Sequence, residues 1–531
     1  MTHKQKSLFT GLAASVLIIS AGCDLVGSTG IVSNPADAIE GVNPGRAQAV
    51  AYAADDIFSL NYDSRYSMNP ITTRSKLNLM FGSLVYESLF EVDERFDYVP
   101  KLATECTSND GVTWFVFIDS GILMHDGSLL SAQDVVYSLQ RAQRTETYGA
   151  RLNTIYGISA MSDEMIMITL KYADMLFPAL LNIPVIKSGT LNDDTPVGTG
   201  PYMLNRDRMT LERFPGHRNA DLMPVDTIYL KEYPDPENAI SAYEDSVIDL
   251  VVNDPTGLSN LGYGTANDIR KFNTTSMCYL GINTESDFLK FANYRYALNY
   301  AVDRDYIVRE IMRGYGVTSA LPFHPASYFF SEGLNRKYDN YDLDTCLTVF
   351  NALNIKDHNN NGRLEFMVTG VPIEINIDFI VNDDNTLKVK AARHIANGLS
   401  EIGLPVNLRE LNWDAYIRAL TNGDYDIYFG EIKLTADFDL NCLFRPDKEK
   451  NYGNITDPHY GKLIDIYLAA PDEERKLRAE ELCKYIYETA PIIPIFFKSM
   501  EVLTHRGVVS GLSPTQYDVF RKFEDWTIDL G

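Results

Sequence analysis

FIDSGILMHDGSLLSAQDVVYSLQRA, residues 117–142, is the stretch whose reading decides the fold. A β-rich run, Val112–Ile118, leads into it. Asp126-Gly127 is a turn pair, because glycine takes a positive φ without steric cost. Ser131 stands three residues before Asp134, an acidic variant of the capping box. Ala132, Val135, Val136, Leu139 and Ala142 then recur at helical spacing and mark one apolar stripe. The segment predicts strand, turn and capped amphipathic helix. Strand-like and helical runs alternate along the rest of the chain, which points to an α/β architecture.

A second segment, Pro196-Val-Gly-Thr-Gly-Pro-Tyr202, is a turn punctuated by glycine and proline. Together the two segments resemble the extracellular solute-binding proteins, family 5, the oligopeptide-, dipeptide- and nickel-binding receptors of ABC importers. Leu129 stands where many members have proline, and Gln133 where many have an acid. Tyr86-Glu-Ser-Leu-Phe90, Tyr279-Leu-Gly-Ile-Asn-Thr284, the run from Arg295 to Arg304 and Gly423-Asp-Tyr-Asp-Ile427 are similar to further family segments, in the same order.

The resemblance implies a two-lobed periplasmic-binding-protein-like α/β fold (type II, cluster C), with an inserted extra subdomain and a hinge cleft. It places the first lobe at 45–78, 195–275 and 500–531, the inserted subdomain at 79–194 and the second lobe at 276–499. The connecting segments are expected near Met277–Gly281 and Ile492–Phe497, the latter an apolar run suited to a buried crossover strand. Within the second lobe, an amphipathic run over Asn385–Ile402 and strand-like runs at Pro405–Leu408 and Tyr425–Gly430 give a βαβ rhythm, in which ligands gather at strand C-terminal ends.

The N-terminus predicts export. Lys4 and Lys6 precede an apolar run from Leu8 to Ile19, and Ser20-Ala-Gly-Cys23 follows. That is a signal peptide over residues 1–22, too short to span a bilayer, which needs about 20 apolar residues. Cys23 after Ala-Gly is a lipobox arrangement, so Cys23 is the expected lipidation site and membrane anchor. Residues 23–44 are rich in Gly, Ser, Asn and Pro, a flexible tether able to hold the folded body about 25–30 Å from the lipid.

The net charge of −25 argues against nucleic acid as a partner and against adsorption to anionic membranes. The cysteines other than Cys23, namely Cys106, Cys278, Cys346, Cys442 and Cys483, form no CxxC pair; buried free cysteines are the default, and one disulfide is possible in an oxidising compartment though not readable from the spacing. No HExxH, GxSxG or Walker A sequence occurs, so nothing implies an enzyme or a cofactor. Asp357, Asn359, Asn361 and Gly362 fit the start of a calcium loop, but Val368 stands where its bidentate Glu belongs. A hydrogen-bonded turn is the expectation there, as it is for His125.

The ligand-site candidates come from the resemblance. Ala436-Asp437-Phe438 is similar to the family's A-D-Y, whose aspartate holds a peptide's α-ammonium. The family's preceding Trp is absent here, and Asp439-Leu440 replaces D-P. Backbone at Gly430, Ile432 and Lys433 is the expected pairing edge for an extended ligand, and Trp413 is a pocket or core aromatic. The expected partners are a short peptide and ABC permease subunits, with the receptor a monomer. A nickel chelate, an oligosaccharide or a signalling peptide keeps the same fold, and a secreted hydrolase is the alternative of a different class.

Overall fold

The computed structural model describes residues 24–25, 56–257 and 266–530. The signal-peptide reading of 1–22 and the lipidation reading of Cys23 lie outside the described residues.

The decisive stretch folds as read. Thr113–Ile118 is a strand, Gly127 turns with φ +82°, and Ala132–Ala142 is a helix. The Asp134 carboxylate accepts from the Ser131 backbone N–H at 3.0 Å and from its hydroxyl at 2.7 Å, closing the helix start. Ala132, Val135, Val136, Leu139 and Ala142 are all buried. At about 1.5–3 kcal/mol for each large side chain, this stripe fixes the helix on its sheet. That sheet is antiparallel, its strands ordered Ala103–Thr107, Thr113–Ile118, Met165–Leu170 and Ile155–Ala160.

The two glycine-marked segments touch. His125 Nε2 donates to the Gly200 carbonyl at 2.9 Å, and the His125 N–H donates to Gly198 O at 2.9 Å. Burial lowers the His125 pKa, so the ring serves as a neutral donor. The glycines are there because Val85 and Tyr86 press on them: a Cβ on Gly198 would stand 2.3 Å from Val85 O.

One mixed sheet runs through the body of the molecule. Its strands lie in the order Val406–Leu411, Ile377–Asn382, Ile427–Lys433, Asn267–Ile282, Ile492–His505, Leu250–Asn253, Phe58–Tyr62, Thr227–Glu232, Thr210–Arg213 and Tyr202–Asn205. The first three strands are parallel to one another, with helix Thr386–Glu401 crossing between Ile377–Asn382 and Val406–Leu411. They fall within the segment expected as the second lobe, and the strands from Leu250–Asn253 onward fall within the segments expected as the first.

Asn267–Ile282 and Ile492–His505 are long antiparallel strands that serve both lobes. Residues 276–282 pair with Ile427–Lys433 of the second lobe, while Glu501–Thr504 pair with Leu250–Asn253 of the first. Between them the register slips from Asn273 to Met277. Thr274 Oγ1 spans that gap by donating to Lys498 O at 2.7 Å. This irregularity, at 274–275 opposite 498, lies a few residues from the connecting segments expected near Met277–Gly281 and Ile492–Phe497.

A buried ionic chain crosses the same place. Lys498 Nζ lies 2.6 Å from Asp254 Oδ2 and 3.3 Å from Glu431 Oε1, and Lys388 Nζ lies 2.6 Å from Glu431 Oε2. Asn385, which caps helix Thr386–Glu401, also donates to Thr256 O at 2.7 Å. The loop after Leu250–Asn253 is thus tied to the second lobe.

At 357–362 the Asp357 carboxylate accepts from the Asn361 and Gly362 N–H groups, and Glu365 accepts from the His358 N–H. This is a hydrogen-bonded turn leading into the hairpin Glu365–Val368 and Val371–Glu374.

Candidate functional site

A cavity of about 350 Å³ is lined by residues from several separated stretches of the chain. Tyr148, Arg151 and Asn182 supply one wall, and Glu87, Glu91 and Lys101 another. Lys433–Thr435 reach in from the second lobe, and Gln516–Asp518 close the remaining side. The Thr275 hydroxyl donates to Leu434 O at 2.5 Å and accepts from Gln516 Nε2 at 2.9 Å. The lobe-crossing strand therefore holds two walls of the cavity in register.

Most acids of the wall are already matched. Burial would raise the Glu87 carboxyl, but hydrogen bonds from His217 and Arg218 and the Arg218 charge outweigh it and hold it at about 2. Lys101 Nζ sits 2.6 Å from Glu91. Asp518 accepts from the Ser83 hydroxyl at 2.6 Å, and burial, aided by Glu91, pushes its pKa to about 6.

Behind the Lys433–Thr435 wall lies a group of acids of another kind. Asp437 is 4% exposed and Asp174 5% exposed, with Asp439 beside them. None of the three carboxylates has an ion-pair partner among the described residues. Their stabilising contacts are local: Asp437 Oδ1 accepts from the Asp439 N–H at 3.2 Å, Asp439 from Asn441 N–H at 2.8 Å and Asp174 from Leu176 N–H at 2.8 Å. Burial first, then mutual repulsion, pushes Asp174 well above the carboxylate range and Asp439 to about 7, and burial raises Asp437 as well. Asp174 comes from the stretch before the 3₁₀ turn Phe177–Leu180, and Asp437 and Asp439 from the loop after strand Ile427–Lys433. The Met175 N–H donates to Leu468 O at 2.8 Å.

The sequence-chosen residues divide. Lys433 lines the cavity and Asp437 lies buried two residues beyond its Thr435 wall. Phe438, with φ +53°, is fully buried, its ring against Phe96, Phe323 and Phe497 at 5.3, 6.1 and 6.1 Å. Ile432 is equally buried in that cluster. Gly430 is set by packing, since a Cβ there would stand 2.7 Å from the Tyr279 ring. Trp413 opens helix Trp413–Asn422 away from the cavity lining, its ring 6.1 Å from Tyr416. The edge at Ile432–Lys433 pairs with extended backbone, Asp24–Leu25 lying antiparallel to it.

Sequence reasoning passed over Arg151, Asn182, Tyr148 and the Gln516–Asp518 wall. Glu87, an acid inside the apolar run Tyr86–Phe90, carried the clearest signal of a built polar site.

The profile for bacterial extracellular solute-binding proteins, family 5 Middle, matches residues 97–443. The oligopeptide-binding protein AppA of Bacillus subtilis is 24% identical over 473 residues, covering 82% of this chain and 84% of that protein. The glutathione-binding protein GsiB of Escherichia coli K12 is 25% identical over 301 residues, covering 53% of this chain and 58% of that one. Among solved structures, NikZ from Campylobacter jejuni in complex with Ni(L-His) superposes with a TM-score of 0.65 at 19% identity, covering 90% of this chain and all of NikZ. The chain belongs to the bacterial extracellular solute-binding proteins, family 5, which bind solutes rather than transform them.

Proposed function

We propose that this chain is the peptide receptor of an ABC importer, held at the membrane by lipid on Cys23. In this reading the lobes, first at 45–78, 195–275 and 500–531 and second at 276–499, close with the insert at 79–194 on a short peptide. The closed form then presents a surface to the permease. Ligand drives closure only through its preference for the closed state.

The observation that carries the reading is the trio of buried Asp174 and Asp437 and half-buried Asp439, with no cation within ion-pair distance among the described residues. A peptide's α-ammonium supplies the missing charge. The edge at Ile432–Lys433, already able to pair with extended backbone, supplies main-chain hydrogen bonds to the same ligand. At about 350 Å³ the cavity sits near the small end of ligand pockets, about 300–1,000 Å³, which favours a peptide of few residues. Native mass spectrometry of the purified protein tests the reading. A mixed envelope of short-peptide masses supports it, and a retained metal chelate or sugar overturns it.

Asp437→Asn keeps the shape and removes the charge. It should weaken binding of a verified peptide by about 10- to 150-fold, the worth of a charge-assisted hydrogen bond of ~1.5–3 kcal/mol. Calorimetry checks this, and unchanged affinity removes Asp437 from the site.

The raised acids also predict a proton signature. In the unliganded protein, Asp439 stays partly protonated up to about pH 7. An arriving ammonium favours the ionised carboxylates, so peptide binding near neutral pH should release protons. By the same linkage, these acids favour the unliganded fold at low pH. That contribution fades as pH rises from the ordinary carboxylate range to about 7. Calorimetry in buffers of different ionisation enthalpy reads the proton count, and uptake or zero exchange contradicts the assignment.

A further inference from the structure

Arg151 is an unspent charge on the cavity wall. Its guanidinium donates to Asn182 Oδ1 at 2.6 Å and Asn182 O at 3.4 Å, both neutral acceptors, and lies 5.4 Å from the centroid of the Tyr148 ring. Tyr148 is itself pinned by its hydroxyl, which donates to Pro70 O at 3.0 Å. The Arg151 Nε is buried and has no acceptor, and no carboxylate lies within ion-pair distance among the described residues. The acids on the cavity wall are otherwise engaged, Glu87 by Arg218, Glu91 by Lys101 and Asp518 by Ser83, and Asp437 behind the wall feels the Arg151 charge only from beyond ion-pair distance. A second buried donor without an acceptor, the Tyr86 hydroxyl, faces the same cavity.

Leaving a buried donor unsatisfied is costly, and more so for a charged one. A guanidinium so placed, planar and held by packing on one side, suits a carboxylate on the other. We propose that Arg151 is a specificity residue that receives a carboxylate of the ligand, so that the receptor selects zwitterionic peptides over blocked ones. This rests on the peptide reading above and adds the anionic pole to it. The carboxylate is either the peptide's C-terminus or an acidic side chain.

The test offers the full protein three equimolar tripeptide sets. One set has free C-termini and no acidic side chains, one is the same set amidated, and one is amidated with a single Glu in each member. Native mass spectrometry then reads retention. The wild type should retain a carboxylate-bearing set over the neutral amides by about tenfold or more. The first set prevailing assigns the C-terminus, and the third assigns a side chain. Arg151→Gln should hold all three sets alike. Should that variant fail to fold, Arg151→Lys, which keeps the charge and loses the planar fork, should show a reduced ratio. The proposal is overturned if the wild type shows no carboxylate preference, or if the preference survives unchanged in the variants. Retention of no set by the wild type overturns the peptide reading and this assignment with it, which separates the two failures.

Discussion

Glu431→Gln is expected to destabilise the folded protein by roughly 3–5 kcal/mol, the usual cost of removing one partner from a buried ion pair. Glu431 is 3% exposed, and Lys498, at 5%, depends on it together with Asp254. Without the carboxylate, Lys388 loses its partner and Lys498 keeps only the half-open side of its pairing. Burial alone would raise the Glu431 carboxyl, but Lys388 and Lys498 outweigh it and hold it at about 2. A depressed acid contributes stability above its ordinary pKa. That contribution is lost only as pH falls from about 4.5 towards 2. The loss in Glu431→Gln should therefore be constant across neutral pH. Denaturant unfolding of the two proteins measures it, and a difference below about 1 kcal/mol, the surface-pair range, shows that the chain of charges does not hold the lobes together.

Gly200→Ala should cost about 3 kcal/mol or more, at the upper end of overpacking effects. An added Cβ would meet Val85 C at 2.5 Å, Leu84 O at 2.6 Å and Val85 Cα at 2.8 Å. All three are backbone atoms and have no rotamer into which to retreat. The collision would also break the Gly200 N–H bond to Val85 O and move the carbonyl that His125 reaches. Gly127→Ala is the comparison that isolates the cause: its φ of +82° imposes strain of about 1–2 kcal/mol, but nothing lies within 4 Å of the new carbon. Thermal melts of both variants should rank them in that order, and equal losses would mean that conformation, not crowding, keeps glycine at position 200.

Local structure was legible wherever neighbours in sequence decide it. The capped helix Ala132–Ala142 follows from Ser131, Asp134 and its apolar stripe, and helix Thr386–Glu401 follows from its own periodicity. The glycines of 196–202 were recognisable as a motif, but their reason is steric contact with Val85, more than a hundred residues away. The site was legible only in part. Asp437 and Lys433 are near or on the cavity, because a short motif loop carries them. Arg151, Asn182 and Gln516 come from three separate segments, and no spacing in the sequence announces that folding brings them to one cavity. Phe438 shows the converse: it belongs to the motif but is consumed by the aromatic cluster with Phe96 and Phe497.

The strands Asn267–Ile282 and Ile492–His505 belong to both halves at once, and this governs how the molecule moves and how it comes apart. A receptor with slack connections can swing its halves independently. Here each half lends the other a share of its backbone ladder, so gaping is a torsion of a two-ply ribbon, concentrated where Asn273 slips to Met277. Melting either half strips partners from the same two strands, so the halves surrender their order together, as one cooperative unit rather than as two beads on a string.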